Sequence, residues 1–278
     1  MSATSLPMKN SIARPSEMSS ARLLRAYATE VKYECLRALR APAFSIPFLS
    51  LPIALYILFG VLLAGSMSHR DVTVAKIMFV NWSVFGVMGP GLFGFGMFVA
   101  AEREQGLMTL KRALPMPAGA SLLSKMIMAM LFSAIVVITL VAAAVALGHP
   151  GLTFAQYSGI ALVAIAGSLP FCAIGLFLGT RASAKSAPAF ANLAYLPFMH
   201  LGGLFYPLPK SVQPLEFISP AFYLDKLCLR LAGAPNLDQL SGVTGPSSCV
   251  GPAVSVAVLA GVTTLFAALA IRRLARVG

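Results

Sequence analysis

The chain has 278 residues, of which 58% are hydrophobic and only 11% charged, with a mean hydropathy of +0.83. A soluble domain carries about 25% charged residues, so too little charge is present to cover a water-facing globule of this size, and a soluble enzyme, a disordered chain and a coiled coil are excluded. The net charge of +12 does not point to nucleic acid, because the 21 Lys and Arg lie in short clusters between long apolar runs rather than on one face; in a membrane protein that pattern sets orientation.

Residues 1–18 read as a disordered polar and basic arm. No short apolar core precedes a cleavage site, so the arm is not expected to be a cleaved signal peptide. Residues 19–41 read as an amphipathic interfacial helix. Leu24, Ala28, Val31 and Cys35 recur at spacings of three and four and so share a face. Arg22, Arg25, Lys32, Arg37 and Arg40 lie largely off that stripe, and Pro42 ends it. A basic amphipathic helix just before a span is expected to lie along the membrane surface.

Residues 42–278 read as one all-α, six-span membrane domain. A helix needs about 20 mostly apolar residues to cross the hydrocarbon core. The stretches 41–69, 77–101, 126–180, 186–209 and 239–271 contain no Asp, Glu, Lys or Arg. The third is too long for one helix and breaks at Gly148-His149-Pro150-Gly151, a turn signal. The expected spans are therefore about 44–65, 79–101, 126–147, 157–180, 187–208 and 250–271. The runs are continuous rather than alternating, which favours helices over a closed barrel. Sixteen of the 21 Lys and Arg then fall on the side of the two termini and five on the other, which puts both termini in the cytoplasm.

The second span carries Gly86, Gly89, Gly91, Gly94 and Gly96 with Pro90, residues that let neighbouring helices approach. Phe93, Phe95 and Phe98 on that span, and Asn192, Tyr195, His200 and Phe205 on the fifth, are candidates to line a pathway for an apolar or amphipathic substrate; ordinary helix packing is the plainer reading of the same residues. After the second span, the loop 102–125 begins Glu102-Arg103-Glu104-Gln105-Gly106, a polar knot at the lipid edge followed by a residue that permits a sharp change of direction. The stretch 107–114 can form a short helix stopped by Pro115 and Pro117. The outer loop 209–249 is expected to be partly helical, near 220–232, and either to dip into the outer leaflet or to pack on the span ends. An oxidising outer compartment would allow Cys228 and Cys249 of this loop to pair; no cysteine or histidine spacing resembles a metal site.

The missing chemistry narrows the function. No stretch matches the phosphate-cradling Gly-x-x-x-x-Gly-Lys-Ser/Thr pattern, so no nucleotide site is expected on this chain. The spans hold no acid or base of the kind that ion-coupled carriers use, and no polar cluster for intramembrane hydrolysis. A body without an engine fits either a transporter driven by a separate protein or a non-energised channel or scaffold.

The run Glu102-Arg103-Glu104-x-Gly106 with Pro115 nine residues after the glycine resembles the loop of type-2 ABC transporter permeases. The stretch Gly203-Leu204-Phe205-Tyr206-Pro207-Leu208, followed by Pro209, Pro214, Ile218, Pro220 and Tyr223, is similar to that family's segment between spans 5 and 6. The basic helix resembles its connecting helix. The resemblance covers roughly residues 20–275. It departs where Gly106-Leu107-Met108-Thr109 replaces the family's usual Gly-Thr-Leu-Glu, and where Lys111 and Arg112 stand at usually apolar positions.

The resemblance implies the permease subunit of an ATP-driven exporter in a bacterial inner membrane. It would work beside a second copy of itself or a homologous permease, above a pair of ABC ATPase subunits. ATP and Mg would be bound on those partners and no cofactor on this chain. It also implies that Glu102, Arg103, Glu104, Gly106 and Pro115 join span motion to the ATPase, with Arg25 and Lys32 of the connecting helix touching it, and that spans 2 and 5 line the substrate cavity.

Overall fold

The computed structural model describes residues 20–63, 72–107, 120–206, 208–209, 211–234 and 250–277, and these are mainly helical with no strand among them. Helix α1 runs Ser20–Leu39 and α2 runs Pro42–Leu55, continuing as a wider π-helical stretch over Tyr56–Leu63. Helix α3, Val72–Gly89, passes through a π turn at Pro90–Gly94 into α4, Phe95–Glu104. Helix α5, Ala120–Ala143, ends in a second π turn at Ala144–Gly148. Helices α6, Phe154–Ala166, and α7, Ser168–Gly179, follow one another across Gly167. Helix α8 is Ala187–Leu201, and a 3-10 turn at Gln213–Ile218 leads to α9, Pro220–Ala232. Helix α10 is Pro252–Val277.

Five of these stretches are long and apolar enough to cross a membrane: Pro42–Leu63, Val72–Glu104, Leu122–Gly148, Phe154–Gly179 and Pro252–Leu274. They overlap five of the six expected spans, because a backbone in lipid can satisfy its N–H and C=O groups only within such helices. The stretch expected to be the fifth span of six behaves differently. Helix α8 has 15 residues, about 22 Å at 1.5 Å per residue, against about 30 Å of hydrocarbon. It stops at Gly202-Gly203, where Gly203 takes φ +67, a conformation that ends a right-handed helix. The chain then turns back: the Ser219 hydroxyl donates to the Phe198 carbonyl at 2.8 Å, and α9 packs against α3, α6, α8 and α10. Phe222, Leu224, Cys228 and Leu229 of α9 are buried there.

The second span is the centre of the molecule. It is 89% buried along its apolar window, whereas the first and last are 11% and 17% buried and leave most of their apolar surface outward. Small residues make this possible. Gly175 and Gly179, one turn apart on α7, lie against the backbone of the second span: a Cβ on Gly175 would sit 2.5 Å from the Leu92 carbonyl oxygen, and one on Gly179 would sit 2.7 Å from that of Gly96. From the other helix, a Cβ on Gly91 would meet the Ser168 oxygen at 3.0 Å. The span-2 glycines are thus packing residues, the plainer of their two sequence readings.

Helix α1 buries a face other than its apolar stripe. Leu24, at the head of that stripe, is 73% exposed, while Glu34 and Ala38 are buried against α5. An ionic contact, rather than apolar burial alone, orients the helix.

Candidate functional site: a buried ion network at the base of the span 2–3 loop

Glu102 closes α4 and Lys125 lies in the first turns of α5, so the two residues are the roots of the loop 102–125. Their side chains are 0% and 1% exposed, and the Lys125 Nζ donates to Glu102 Oε1 at 2.8 Å. The same Nζ also donates to Glu34 Oε1 on α1. One turn further along α1, Arg37 Nη1 donates to Glu102 Oε1 at 2.6 Å, and its guanidinium stands 5.0 Å from the Phe98 ring centroid. Acid and base alternate as Glu34, Lys125, Glu102, Arg37, with no net charge. That balance is what allows four ionised groups to sit largely out of water. Burial, and next the neighbouring Glu34 carboxylate, push the Cys35 thiol above its ordinary value.

The next two residues of the run face the opposite way. Arg103 donates through Nη1 to the Thr180 carbonyl and through Nη2 to the Ala182 carbonyl at 2.7 Å. Glu104 Oε1 accepts from the Ala184 N–H at 3.0 Å. This end of the second span therefore holds α1 and α5 with Glu102 and the turn after α7 with Arg103 and Glu104. Gly106 is exposed at φ +69 with nothing within 4 Å of a Cβ there, so it serves the turn and not a close contact. Arg25 and Lys32 are exposed on α1. Pro115 and all of the expected helix over 107–114 except Leu107 lie outside the described residues.

Of the residues assigned to ATPase coupling, Glu102 is enclosed and acts on neighbouring helices, whereas Glu104 and Gly106 of the loop and Arg25 and Lys32 of α1 are exposed. Glu34 and Lys125 escaped the reading of the sequence as members of the site. The available signal was Glu34 itself, which with Glu30 is one of two acids in a helix that carries Arg22, Arg25, Lys32 and Arg37, and which stands one turn before Arg37.

The pathway candidates divide into two groups. Phe93 packs on Phe48 at 5.0 Å and on Tyr195 at 5.6 Å between ring centroids. Tyr195 meets Phe85 at 5.4 Å and donates its hydroxyl to the Phe85 carbonyl at 3.3 Å. Phe205 lies 4.7 Å from Trp82 and 5.7 Å from Phe85, and Phe59 stacks on Trp82 at 5.9 Å. These rings form one aromatic seam between the first two spans and α8. Phe95 is outside it, fully buried with Val99, Ala129, Cys172, Leu176 and Ala270. Phe98 points to Phe44 and Arg37, below the seam. Asn192 and His200 are exposed on α8, and a His200 ring nitrogen, Nδ1, lies 2.8 Å from the Leu196 carbonyl.

The ABC-2 type transporter family model matches residues 25–225, which takes in α1, the ion network, the seam and the start of α9. The chain belongs to the ABC-2 type transporter family. It is also 24% identical over 193 residues to "Putative transport permease YvfS" of Bacillus subtilis (strain 168), a match covering 68% of this chain and 78% of that protein. This ABC-2 type chain is accordingly an integral membrane protein and a transporter permease, and the features above are the parts of a permease. Its Cys228 is buried in α9, and Cys249 lies outside the described residues.

Proposed function

We propose that this permease is the membrane subunit of an ATP-driven exporter, coupled to a separate pair of ABC ATPase subunits through α1 and the loop 102–125. The observation that carries the reading is the ion network, which joins α1 and both roots of the loop into the ends of the second and third spans. A partner docking on the exposed Arg25, Lys32 and Glu104 would act directly on that network. Two copies, or this chain and a homologous one, form the pathway, each with six crossings when α8 and the residues after it are counted as the fifth. Both termini lie in the cytoplasm, on the Lys and Arg asymmetry, and the membrane is the bacterial inner membrane. ATP and Mg bind to the partners. Closure of the ATPase pair favours one orientation of the spans only through its differential affinity for the two.

Affinity purification of the full chain from its own membranes tests this. An ABC ATPase is expected to come with it, and the turnover of that ATPase is expected to depend on the chain. A chain that moves solute in liposomes with no ATPase present would instead be a non-energised channel, and one that neither recruits an ATPase nor moves solute would be a scaffold.

The aromatic seam is the substrate-facing part of the pathway in this reading, and it suits apolar or amphipathic aromatic molecules. Trp82 is the single tryptophan, enclosed by Phe59, Phe85 and Phe205, so its fluorescence reports the seam alone. Short-wavelength emission is expected from the intact protein, and Phe205→Ala, by opening one wall to water, is expected to move the maximum to longer wavelength. An unchanged maximum would mean that Phe205 does not shield the indole.

A further inference from the structure

We infer that Lys125 is a positioning residue that fastens α1 and both roots of the 102–125 loop into one rigid unit, so that displacement of α1 reaches the second and third spans together. The inference rests on the reading above that a partner pushes on this region, but the rigidity itself is a property of this chain alone.

Three features lead to it. The Lys125 ammonium spans two carboxylates from elements far apart in sequence, 91 residues to Glu34 and 23 to Glu102. Lys125, Glu102 and Glu34 are nearly or wholly buried, so water cannot easily replace one partner with another. The fourth member, Arg37, shares the same Glu102 oxygen and sits on the same helix as Glu34, three residues on. A helix gripped at two successive turns by groups on two different spans cannot pivot without breaking a buried ion pair. A single exposed pair would not hold it, because such pairs are individually weak and screened.

The grip also has a direction. Glu102 belongs to the same short segment as Arg103 and Glu104, which hold the turn at residues 180–184. Motion of the α1 unit is therefore passed through the end of the second span to the end of α7. The Lys125 ammonium is held by carboxylates of α1 and of the end of the second span, so its part in transport is to set where the loop and α1 stand. The basic residues Arg22, Arg25 and Lys32 stay on the exposed side of the same helix, free for a partner while the inner side is clamped.

Pulsed electron spin resonance distances test the unit directly. Spin labels at Ala21→Cys on α1 and Gln105→Cys beyond the loop root, both exposed positions, are placed in full-length protein in lipid nanodiscs with the native cysteines replaced. One narrow distance peak is expected. Lys125→Met is expected to lose that narrow peak and Lys125→Arg to keep it; Arg37→Gln, milder because Arg37 is partly exposed, serves if Lys125→Met does not fold, and is expected to broaden the peak. With the ATPase bound, ATP and vanadate are expected to leave the distance unchanged, because the two labels travel together. A narrow peak that survives Lys125→Met or Arg37→Gln overturns the inference, as does a wild-type distance that shifts with nucleotide. If no ATPase binds, the function proposed above fails, while the nucleotide-free measurements still decide the rigidity of the unit.

Discussion

Gly175→Leu is expected to abolish recovery of folded protein, and Gly175→Ala to lower thermal stability in detergent by several degrees. At this position α7 and the second span meet backbone to backbone. A Cβ would stand 2.5 Å from the Leu92 oxygen, 2.8 Å from the Gly91 oxygen and 3.0 Å from the Leu92 carbonyl carbon. None of these atoms is a side chain that can swing aside, so the helices must separate. Overpacking commonly costs about 1–3 kcal/mol where side chains can adjust; with only main chain to move, the cost lies at or above the top of that range. Separation would also release the neighbouring close approach of Gly179 to Gly96, since the spacing Gly175-x-x-x-Gly179 puts both on one face. Gly261→Leu is the control: nothing lies within 4 Å of a Cβ there, and its melting temperature is expected to match that of the parent. Melting followed by size-exclusion chromatography checks the series. A Gly175→Leu protein that runs and melts like the parent would show that the two helices do not meet this closely.

How much of this was legible in the sequence depended on the range of the interaction. The spans were legible because charge-free windows have one physical outcome in lipid. Their limits shifted outward in places: the second span begins at Val72 rather than near 79 and includes Lys76 and, at its far end, Glu102. Lys76 is only partly buried at the end of the span, where a long basic side chain can reach the interface, while Glu102 is paired with Lys125 and Arg37. The end of α8 within the fifth expected span was not legible because apolar composition is continuous across Gly202 and Gly203, and composition does not register a left-handed residue. Helix α1 showed its period but not its inner face. The apolar stripe led through Leu24, whereas the helix is turned by Glu34 and Arg37 toward groups 91 and 65 residues away. Pair contacts at that separation leave no trace in local spacing. The run Glu102-Arg103-Glu104 was visible as a polar knot; that its first member faces α1 and its next two face the turn after α7 is decided by tertiary packing alone. Gly175 and Gly179 were visible as a four-residue repeat of small residues, but the identity of the backbone opposite them was not.

Glu102→Leu is expected to destabilise the protein more than any other single change in the ion network, and the double variant Glu102→Leu/Lys125→Met to be more stable than that single variant. Removing the Glu102 carboxylate takes one partner from Lys125 and one from Arg37 at once. Breaking a buried ion pair from one side costs about 3–5 kcal/mol because it leaves a charge without compensation. Lys125 would retain Glu34, but Arg37 would lose its anion and keep only the Phe98 ring and the water that reaches its 36% exposed side chain. When Lys125 is removed as well, the two groups that remain, Glu34 and Arg37, are three residues apart on α1, a spacing at which opposite charges face each other on a helix. They can then pair and leave no unmatched charge in the network. The two substitutions are therefore expected to be non-additive, with a coupling of about 1–3 kcal/mol, the range seen for residues that share one network. Melting curves of the parent, both single variants and the double variant in the same detergent measure it. Strict additivity would mean that Glu102 and Lys125 do not interact, and would remove the base from which the loop is held.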